Sequence, residues 1–566
     1  MSSPSSFGPW RPVMALLLVG TCVVFLSRIC PEEGWNVAGV HIKMPMPKAL
    51  APYLSAEIAP PIVHRWAPED VQDLLNTYDA QLTAAESSEE AQAMSPSTPA
   101  DALVSIDSTT AQPDALDTLS STADLTPQNS PNPIPLDSAA LRSPVKAVVD
   151  LAANSTGDWI PTSLRVRIPK PAQSQFDTLF ARLNAGLPVT VLHFGDSQIE
   201  GDRISGTLRH KWQARWGGYG PGIQPPVPLV QSFALSQRHS SQWQRHTRYG
   251  RRDTTDQDEN YGLLASYATA TVLDGDPACL TLQPERRAHA SFGQWDGLSV
   301  WHDQVAVETE VMLNGLPVDT LRAGRPAGQI TWTVPRTPSG TASPAEVCFS
   351  ATPPRLFAVH PLGAGVQWHA VAMRGSSGTL FRKLHRPTFS KQLRQINPDL
   401  VVLQFGGNTV PYCKDSASAE RYAGWFGRQI QLFQSLAPHA AILVIGPSDM
   451  AEKTGLEWTP YPQLDAIRNA LKAVSLDQGA AHWDLLEVMG GLGSMPAWVK
   501  ATPALAGADH VHLTPLGAKK VGALLDRALW AEFRSWKRGG GQKPMSGIVP
   551  RPAQALPTPM TLQHAP

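Results

Sequence analysis

At 566 residues the chain exceeds the size at which a single hydrophobic core stops growing, so two folded parts with tails are expected. Its 47 basic and 48 acidic residues leave a formal net charge of -1, and no Lys/Arg-rich block stands out, which argues against a nucleic-acid partner. The cluster Arg245, Arg248, Arg251 and Arg252 is balanced by Asp253, Asp256, Asp258 and Glu259 and reads as a solvated loop.

In chain order, residues 12–27 form an apolar run between Arg11 and Arg28, shorter than the roughly 20 residues that span a bilayer comfortably. No small-x-small cleavage site follows, and Val19-Gly20-Thr21-Cys22 is a poor lipoprotein box. Residues 1–34 are therefore read as a signal anchor in preference to a cleaved signal peptide, with the body exported. Residues 35–155 follow as a stem, Pro/Ser/Ala-rich between 84 and 143, whose composition cannot bury enough apolar surface to fold. The β-branched run 188–194 reads as a buried strand ended by Gly195-Asp196, and 199–216, with Ile204, Leu208, Trp212 and Trp216 spaced by four, reads as a helix stopped at Gly217-Gly218. Runs 265–273, 279–283, 305–313, 329–334 and 347–350 favour strands, broken by turns such as Asn314-Gly315, a strong hairpin signal; together they predict a β-sandwich over 235–365. Trp295, Trp301 and Trp332 lie in that segment and are either core or a sugar-stacking platform. Further buried strands are expected at 366–373, 400–405, 442–445 and 482–485. The tail 538–566, rich in Gly, Pro and Gln, is expected to be disordered. Among the cysteines, Cys279 and Cys348 both lie in the predicted sandwich and are open to pairing, while Cys413 stands alone.

Three short segments carry the chemistry. Gly195-Asp196-Ser197, Gly406-Gly407-Asn408 and Asp509-His510-Val511-His512 together hold a hydroxyl, an amide donor, a carboxylate and an imidazole. A serine hydroxyl is a poor nucleophile, so acyl transfer needs an adjacent imidazole base, a carboxylate that fixes its tautomer, and donors aimed at the developing oxyanion. Asp509 and His512, three residues apart on one turn, can meet side by side, whereas His510 points elsewhere. Asp196 reads as a structural acceptor for the turn's own N–H groups. Ser197 lacks the G-x-S-x-G setting of the α/β-hydrolase elbow, so a different α/β architecture is required. His193, His210 and His369 read as packed or surface residues, since no His/Cys cluster has zinc-ligand spacing; neither a metal nor any other cofactor is expected.

In their order and placement at strand ends these segments resemble the SGNH, or GDSL, hydrolase superfamily. The resemblance implies Ser197 as nucleophile, His512 as general base and Asp509 as its orienting carboxylate. It also implies an oxyanion hole formed by the Ser197 N–H, Gly378 and Asn408, with Gly375 a neighbouring alternative to Gly378. The stretches 192–202 and 216–222, with Trp483-Asp484, Met489-Gly490-Gly491 and Ser494-Met495, are similar to periplasmic peptidoglycan O-acetylesterases of Gram-negative bacteria. That subgroup carries a carbohydrate-binding-like β-domain between the first two motif blocks. Here about 180 residues separate Ser197 from Gly378, far more than a crossover needs.

The expected fold is an α/β three-layer catalytic domain, 156–234 and 366–537, with a parallel sheet and the inserted sandwich. The expected activity is removal of O-acetyl groups from a cell-wall or extracellular polysaccharide, in the periplasm and anchored in the inner membrane by the N-terminal segment. Two alternatives stay open. The same triad could serve a polysaccharide O-acetyltransferase working with a membrane acyl-donor protein, or the chain could be an inactive sugar-binding envelope protein.

Overall fold

The computed structural model describes residues 35–37, 40–42, 161–250, 258–272 and 275–541. The apolar run 12–27, the stem between 84 and 143, Arg251 and Arg252, and most of the C-terminal tail lie outside the described residues. Among the described residues no helix is long and apolar enough to cross a membrane. A small N-terminal unit, 1–64, contributes an antiparallel pair, β1 (Trp35–Val37) and β2 (Val40–Ile42). All other elements belong to a second unit, 65–566.

That unit begins with helix α1 (Gln173–Asn184), strand β3 (Val189–Gly195), helix α2 (Arg203–Trp216) and the short strand β4 (Gly218–Tyr219). Ten strands follow: β5 (Leu235–His239), β6 (Trp243–Thr247), β7 (Ser266–Ala270), β8 (Ala278–Pro284), β9 (Gly297–His302), β10 (Thr309–Leu313), β11 (Leu316–Leu321), β12 (Gly328–Thr333), β13 (Ala345–Phe349) and β14 (Leu356–Leu362). The chain then alternates: β15 (Ala364–Ala372), α3 (Arg386–Ile396), β16 (Leu400–Gln404), α4 (Ser416–Leu436), β17 (Ala441–Ile445), the hairpin β18 (Ala451–Thr454) and β19 (Glu457–Pro460), α5 (Leu464–Asp477), and β20 (Ala481–Trp483). It closes with α6 (Leu485–Val488), α7 (Met495–Lys500) and α8 (Pro515–Arg538).

The body is built on a six-stranded sheet in the order β20-β17-β16-β3-β15-β4, parallel except for β4. Strands buried on both faces read as continuous apolar runs, and their alternation splits the core into two layers. Val189 and Val191 of β3, Leu400 and Val402 of β16, and Leu443 of β17 pack with Phe176 of α1, Leu208 of α2 and Val521 of α8. Their neighbours Leu192, Phe194, Val401, Leu403 and Val444 pack on the other face with Phe389 of α3, Phe426 of α4 and Leu471 of α5. This is a mixed α/β, three-layer arrangement.

Strands β5 to β14 form two antiparallel five-stranded sheets, β11-β10-β13-β8-β5 and β12-β9-β14-β7-β6. They share one apolar layer, to which Leu282 and Val347 contribute from the first sheet and Leu298 and Val359 from the second. Asn314 and Gly315 take φ values of 51° and 80°, which only a short polar residue and a glycine adopt readily, and turn β10 into β11. Cys279 and Cys348 are register partners on β8 and β13 and are disulfide-bonded. Trp295, at 0% exposure in that layer, and Trp301, at 1% exposure in the core shared with the body, are closed to a glycan, so as a stacking platform they are ruled out; Trp332 is half-buried against the sandwich layer.

One helix boundary differs from the sequence reading. The helix begins at Arg203, not at 199, because Gly201 and Asp202 sit at φ 70° and 68° and break the spiral after one 3-10 turn. The Asp202 carboxylate is thereby brought back onto its own helix, where it accepts from Ser205 Oγ at 2.5 Å and from both terminal nitrogens of buried Arg209. Arg209 Nε reaches the Trp368 carbonyl at 2.8 Å and so ties α2 to β15.

The glycine-rich stretch after α2 exists for close approach: a Cβ on Gly218 would lie 2.4 Å from the Val366 nitrogen, and one on Gly222 2.7 Å from the Trp368 oxygen. At the start of α8 the constraint is tighter still, since a Cβ on Gly517 would lie 1.9 Å from the Leu505 carbonyl oxygen. The Gly517→Ala substitution should therefore cost roughly 3 kcal/mol, the upper end of ordinary overpacking. Gly424, exposed on α4 with nothing within 4 Å, is the control, and Gly424→Ala should gain up to about 1 kcal/mol. Thermal unfolding of the two variants should move in opposite directions.

Candidate active site

The carboxyl ends of β15, β3, β16 and β17 lie level, with Ala372 opposite Gly195, Gly195 opposite Gln404, and Gln404 opposite Ile445. After β3 the chain adds β15 on one side and β16 on the other, a reversal of strand order that opens a crevice at the sheet's end. Ser197 follows β3 and Asn408 follows β16, so both fall at that crevice. Together with His512 they line a cleft of about 190 Å3.

The turn at Ser197 is set by its neighbours. A Cβ on Gly195 would lie 2.9 Å from Ile199, so glycine lets the chain fold back. Asp196 is buried, its Oδ1 accepting the Gln198 N–H at 3.0 Å and its Oδ2 the Asn408 amide at 3.1 Å. Burial pushes the Asp196 carboxyl up to about 6 against the pull of these hydrogen bonds.

Ser197 Oγ lies 2.8 Å from His512 Nε2, and His512 Nδ1 lies 2.7 Å from Asp509 Oδ2. Asp509 Oδ1 also accepts the N–H groups of Val511 and His512, each at 3.1 Å, so one carboxylate shapes the turn and meets the ring. Burial raises the Asp509 carboxyl, but the His512 ring and these N–H donors outweigh it and hold the group below the usual carboxylate range. His510, at φ 54°, is turned away and stacks on Trp458 with centroids 3.6 Å apart. The four-residue segment is a turn just before α8, not part of a helix.

The donors named for the oxyanion are placed differently. Asn408 reaches the cleft, but its amide is shared between Asp196 Oδ2 and the Ser376 carbonyl, the latter at 3.2 Å. Gly378 faces Ser376 and the packed side of the loop. Its N–H is given to Ser376 Oγ at 3.1 Å, it packs where a Cβ would strike Phe405 at 2.6 Å, and it is not among the residues that line the cleft. Gly375, the alternative, lies 3.8 Å from Gly250 by the same measure and is likewise off the cleft. Ser376, buried and bonded to both Asn408 and Gly378, was not singled out by its type.

Two further residues were missed because each has a partner over 300 positions away. Gln198 donates to the Val511 carbonyl at 2.8 Å and to Ser448 Oγ at 3.3 Å. Arg203 donates to the Ser197 carbonyl at 2.6 Å and the Leu513 carbonyl at 3.0 Å. Their proximity to Gly195-Asp196-Ser197 was the available signal. His193 is buried with Nε2 3.1 Å from Gln404 Oε1, and burial holds it down to about 3. His210 stacks on His289 at 3.4 Å, and His369 is buried. Cys413 is half-buried, joined in no disulfide, and its thiol donates to the Asp415 carbonyl at 3.4 Å. Among the described residues the group with metal-type donors is Cys279, Glu346 and Cys348, and its two sulfurs are joined to each other.

Residues 340–520 match the GDSL-like Lipase/Acylhydrolase family, a span that holds Asn408, Asp509 and His512 and leaves Ser197 ahead of the sandwich. Among solved structures, a peptidoglycan O-acetylesterase is similar at 22% identity, covering 66% of this chain and 99% of its own, with a TM-score of 0.53, which shows a shared fold. An acetyl xylan esterase, AlAXEase, is similar at 20% identity over 28% of this chain and 79% of its own, with a TM-score of 0.22. No curated protein matches the chain. The resemblance to the SGNH hydrolases read from the three motifs holds, over residues 340–520 in the family match and over the fold in the structural one.

The raised Asp196 carboxyl gives a pH test. Its folded-state pKa of about 6 exceeds the ordinary 3.8, so the folded protein holds this proton more tightly than the unfolded chain. The stabilisation is complete below the ordinary value and is lost as pH rises through about 6. Wild type should therefore gain stability relative to Asp196→Asn on going from about pH 7 to about pH 5, measured as the difference in Tm between the two proteins.

Proposed function

We propose that the protein is a serine esterase that removes O-acetyl groups from a cell-wall or extracellular polysaccharide. The observation that carries this reading is the line from Ser197 Oγ through His512 to Asp509, with links of 2.8 and 2.7 Å. Asp509 accepts a hydrogen bond from His512 Nδ1–H, which keeps that proton on Nδ1 and so leaves the Nε2 lone pair facing the hydroxyl. As Ser197 attacks the ester carbonyl, its proton passes to His512 and the carbonyl oxygen becomes an oxyanion. The Ser197 N–H and the Asn408 amide are the donors we assign to it; Asn408 turns from its Asp196 or Ser376 partner to serve. The sugar oxygen leaves with the proton held by His512. Water, deprotonated by the same ring, then attacks the acetyl-Ser197 carbonyl and releases acetate.

Hydrolysis is favoured over transfer because the site is open. The His512 and Asp509 side chains are 42% and 53% exposed, so water reaches the acyl-enzyme freely. A glycan as substrate is supported by the fold shared with a peptidoglycan O-acetylesterase. The disulfide between Cys279 and Cys348 supports an oxidising compartment such as the periplasm, and the run 12–27 is the proposed tether to the inner membrane.

The test is acetate release from O-acetylated peptidoglycan and from a small acetyl ester, with a fluorophosphonate probe for the serine. Wild type should turn over both esters and take up the probe, and Ser197→Ala should do neither. Asn408→Ala should lower kcat roughly 100- to 1,000-fold without preventing probe attachment. Retention of the wild-type rate by Ser197→Ala would overturn the reading.

A further inference from the structure

The turn that carries Asp509 and His512 is held by a second element besides the loop of the nucleophile. The hairpin β18–β19 follows β17, and the residues at its feet, Met450 and Tyr461, line the catalytic cleft, with the Tyr461 N–H closing on the Met450 carbonyl at 3.2 Å. Ala451 faces Pro460 and Lys453 faces Trp458 across the ladder, so strand alternation puts Ala451, Pro460 and Trp458 on one face. Ala451 and Pro460 are buried and Trp458 is half-buried, so that face packs inward, while Thr454 and Glu457 on the other stay exposed.

That inward face meets His510. The Ala451 N–H donates to the His510 carbonyl at 3.0 Å, and the Trp458 indole stacks on the His510 ring with centroids 3.6 Å apart and planes 9° from parallel. His510 is buried, and its Nδ1 lies 3.1 Å from the Ala508 carbonyl. It sits at φ 54°, a left-handed conformation that a residue other than glycine keeps only where its surroundings fix it. It also stands between the two members of the acid-base pair: Asp509 comes immediately before it, and Asp509 Oδ1 takes the N–H groups of Val511 and His512 just after it. Relaxation of His510 toward an ordinary negative φ would redirect the chain at that point and carry His512 out of line with Ser197. Gln198 and Arg203 hold the Val511 and Leu513 carbonyls from the serine's side, whereas His510, whose conformation sets the turn, is held from the hairpin.

We propose that Trp458 is a positioning residue for the general base: by stacking on His510 it holds the left-handed conformation that aligns Asp509 and His512 with Ser197. This role rests on the esterase reading and goes beyond it, because it assigns the alignment to a side chain outside the three catalytic segments. Two flat rings in contact attract each other and bury apolar surface, so rotation of the His510 ring out of the stack is opposed. Met450 and Tyr461 at the feet of the same hairpin line the cleft, so one element shapes the space for the ester and sets where its base stands.

The test measures kcat and KM on a small acetyl ester for the full chain, together with the low-field proton signal of the His512 Nδ1–H that Asp509 holds. Trp458→Ala should lower kcat about tenfold, less than the roughly 100-fold that a 1 Å misplacement can cost, with KM within about twofold of wild type. Trp458→Phe keeps a stacking face and should recover most of the rate. His510→Asn tolerates the left-handed conformation but has no ring to stack; it should lower kcat as Trp458→Ala does, and it tests the proposal even if Trp458→Ala does not fold. In both slow variants the low-field signal should move or broaden. Leu456→Ala, at the exposed tip of the hairpin, should change neither rate nor signal. A wild-type rate or an unmoved signal in Trp458→Ala, or a loss that Trp458→Phe does not recover, would overturn the proposal. Failure of wild type to turn over any acetyl ester would instead count against the esterase reading, and the proton signal alone would then decide the positioning role.

Discussion

The turn that carries Ser197 and the loop that carries His512 stand 315 positions apart, and a few polar links hold them together. Gln198 gives its amide to the Val511 carbonyl and accepts the Leu513 N–H, while Arg203 bridges the carbonyls of Ser197 and Leu513. The arginine links are charge-assisted and stronger than ordinary amide pairs. They fix the backbone on both sides of the hydroxyl-imidazole contact, so its 2.8 Å geometry does not rest on the side chains alone. Arg203 in turn opens α2, and α2 is anchored to β15 through Arg209. The reacting groups thus inherit the rigidity of the sheet.

Asp196 and Ser376 organise the opposite wall. Both hold Asn408, and Ser376 also takes the Gly378 N–H, so the Asn408 amide is occupied when no ester is present. Preorganised donors lower a barrier because they need not be reoriented at the moment of reaction. Here part of that advantage is spent on satisfying buried partners, and an arriving oxyanion has to compete with them.

Much of this was legible in the chain. The strands β3, β16 and β17 are continuous apolar runs because both faces are buried, and their residues divide alternately between two cores. The Asn314-Gly315 turn announced itself through its backbone requirements. The groups around the serine were recognisable because acyl transfer demands those side-chain types. What stayed hidden depended on contacts between distant positions. Gln198 and Arg203 have common residue types whose meaning lies in which carbonyls they reach. Strands such as β5 (LSQRH) and β11 (LPVDTL) lie in the sandwich with polar residues on their outer faces, so their runs are too mixed to stand out. The break at Gly201 and Asp202 interrupts an apolar spacing that continues across it, and only the pairing of Asp202 with Arg209 explains it.

Where the chain leaves the body for the sandwich and where it returns, the two stretches already touch. Gln224 and Val359 exchange backbone hydrogen bonds of 2.8 and 2.9 Å, and β14 passes into β15 through Gly363 alone. An insertion whose stalks are zipped together imposes little loop-closure entropy on its host, whatever its length. The β3-α2-β15 crossover is therefore closed at the foot of the sandwich, whose Tyr267, Trp301 and Phe357 reach down into the body's own core and seal the junction.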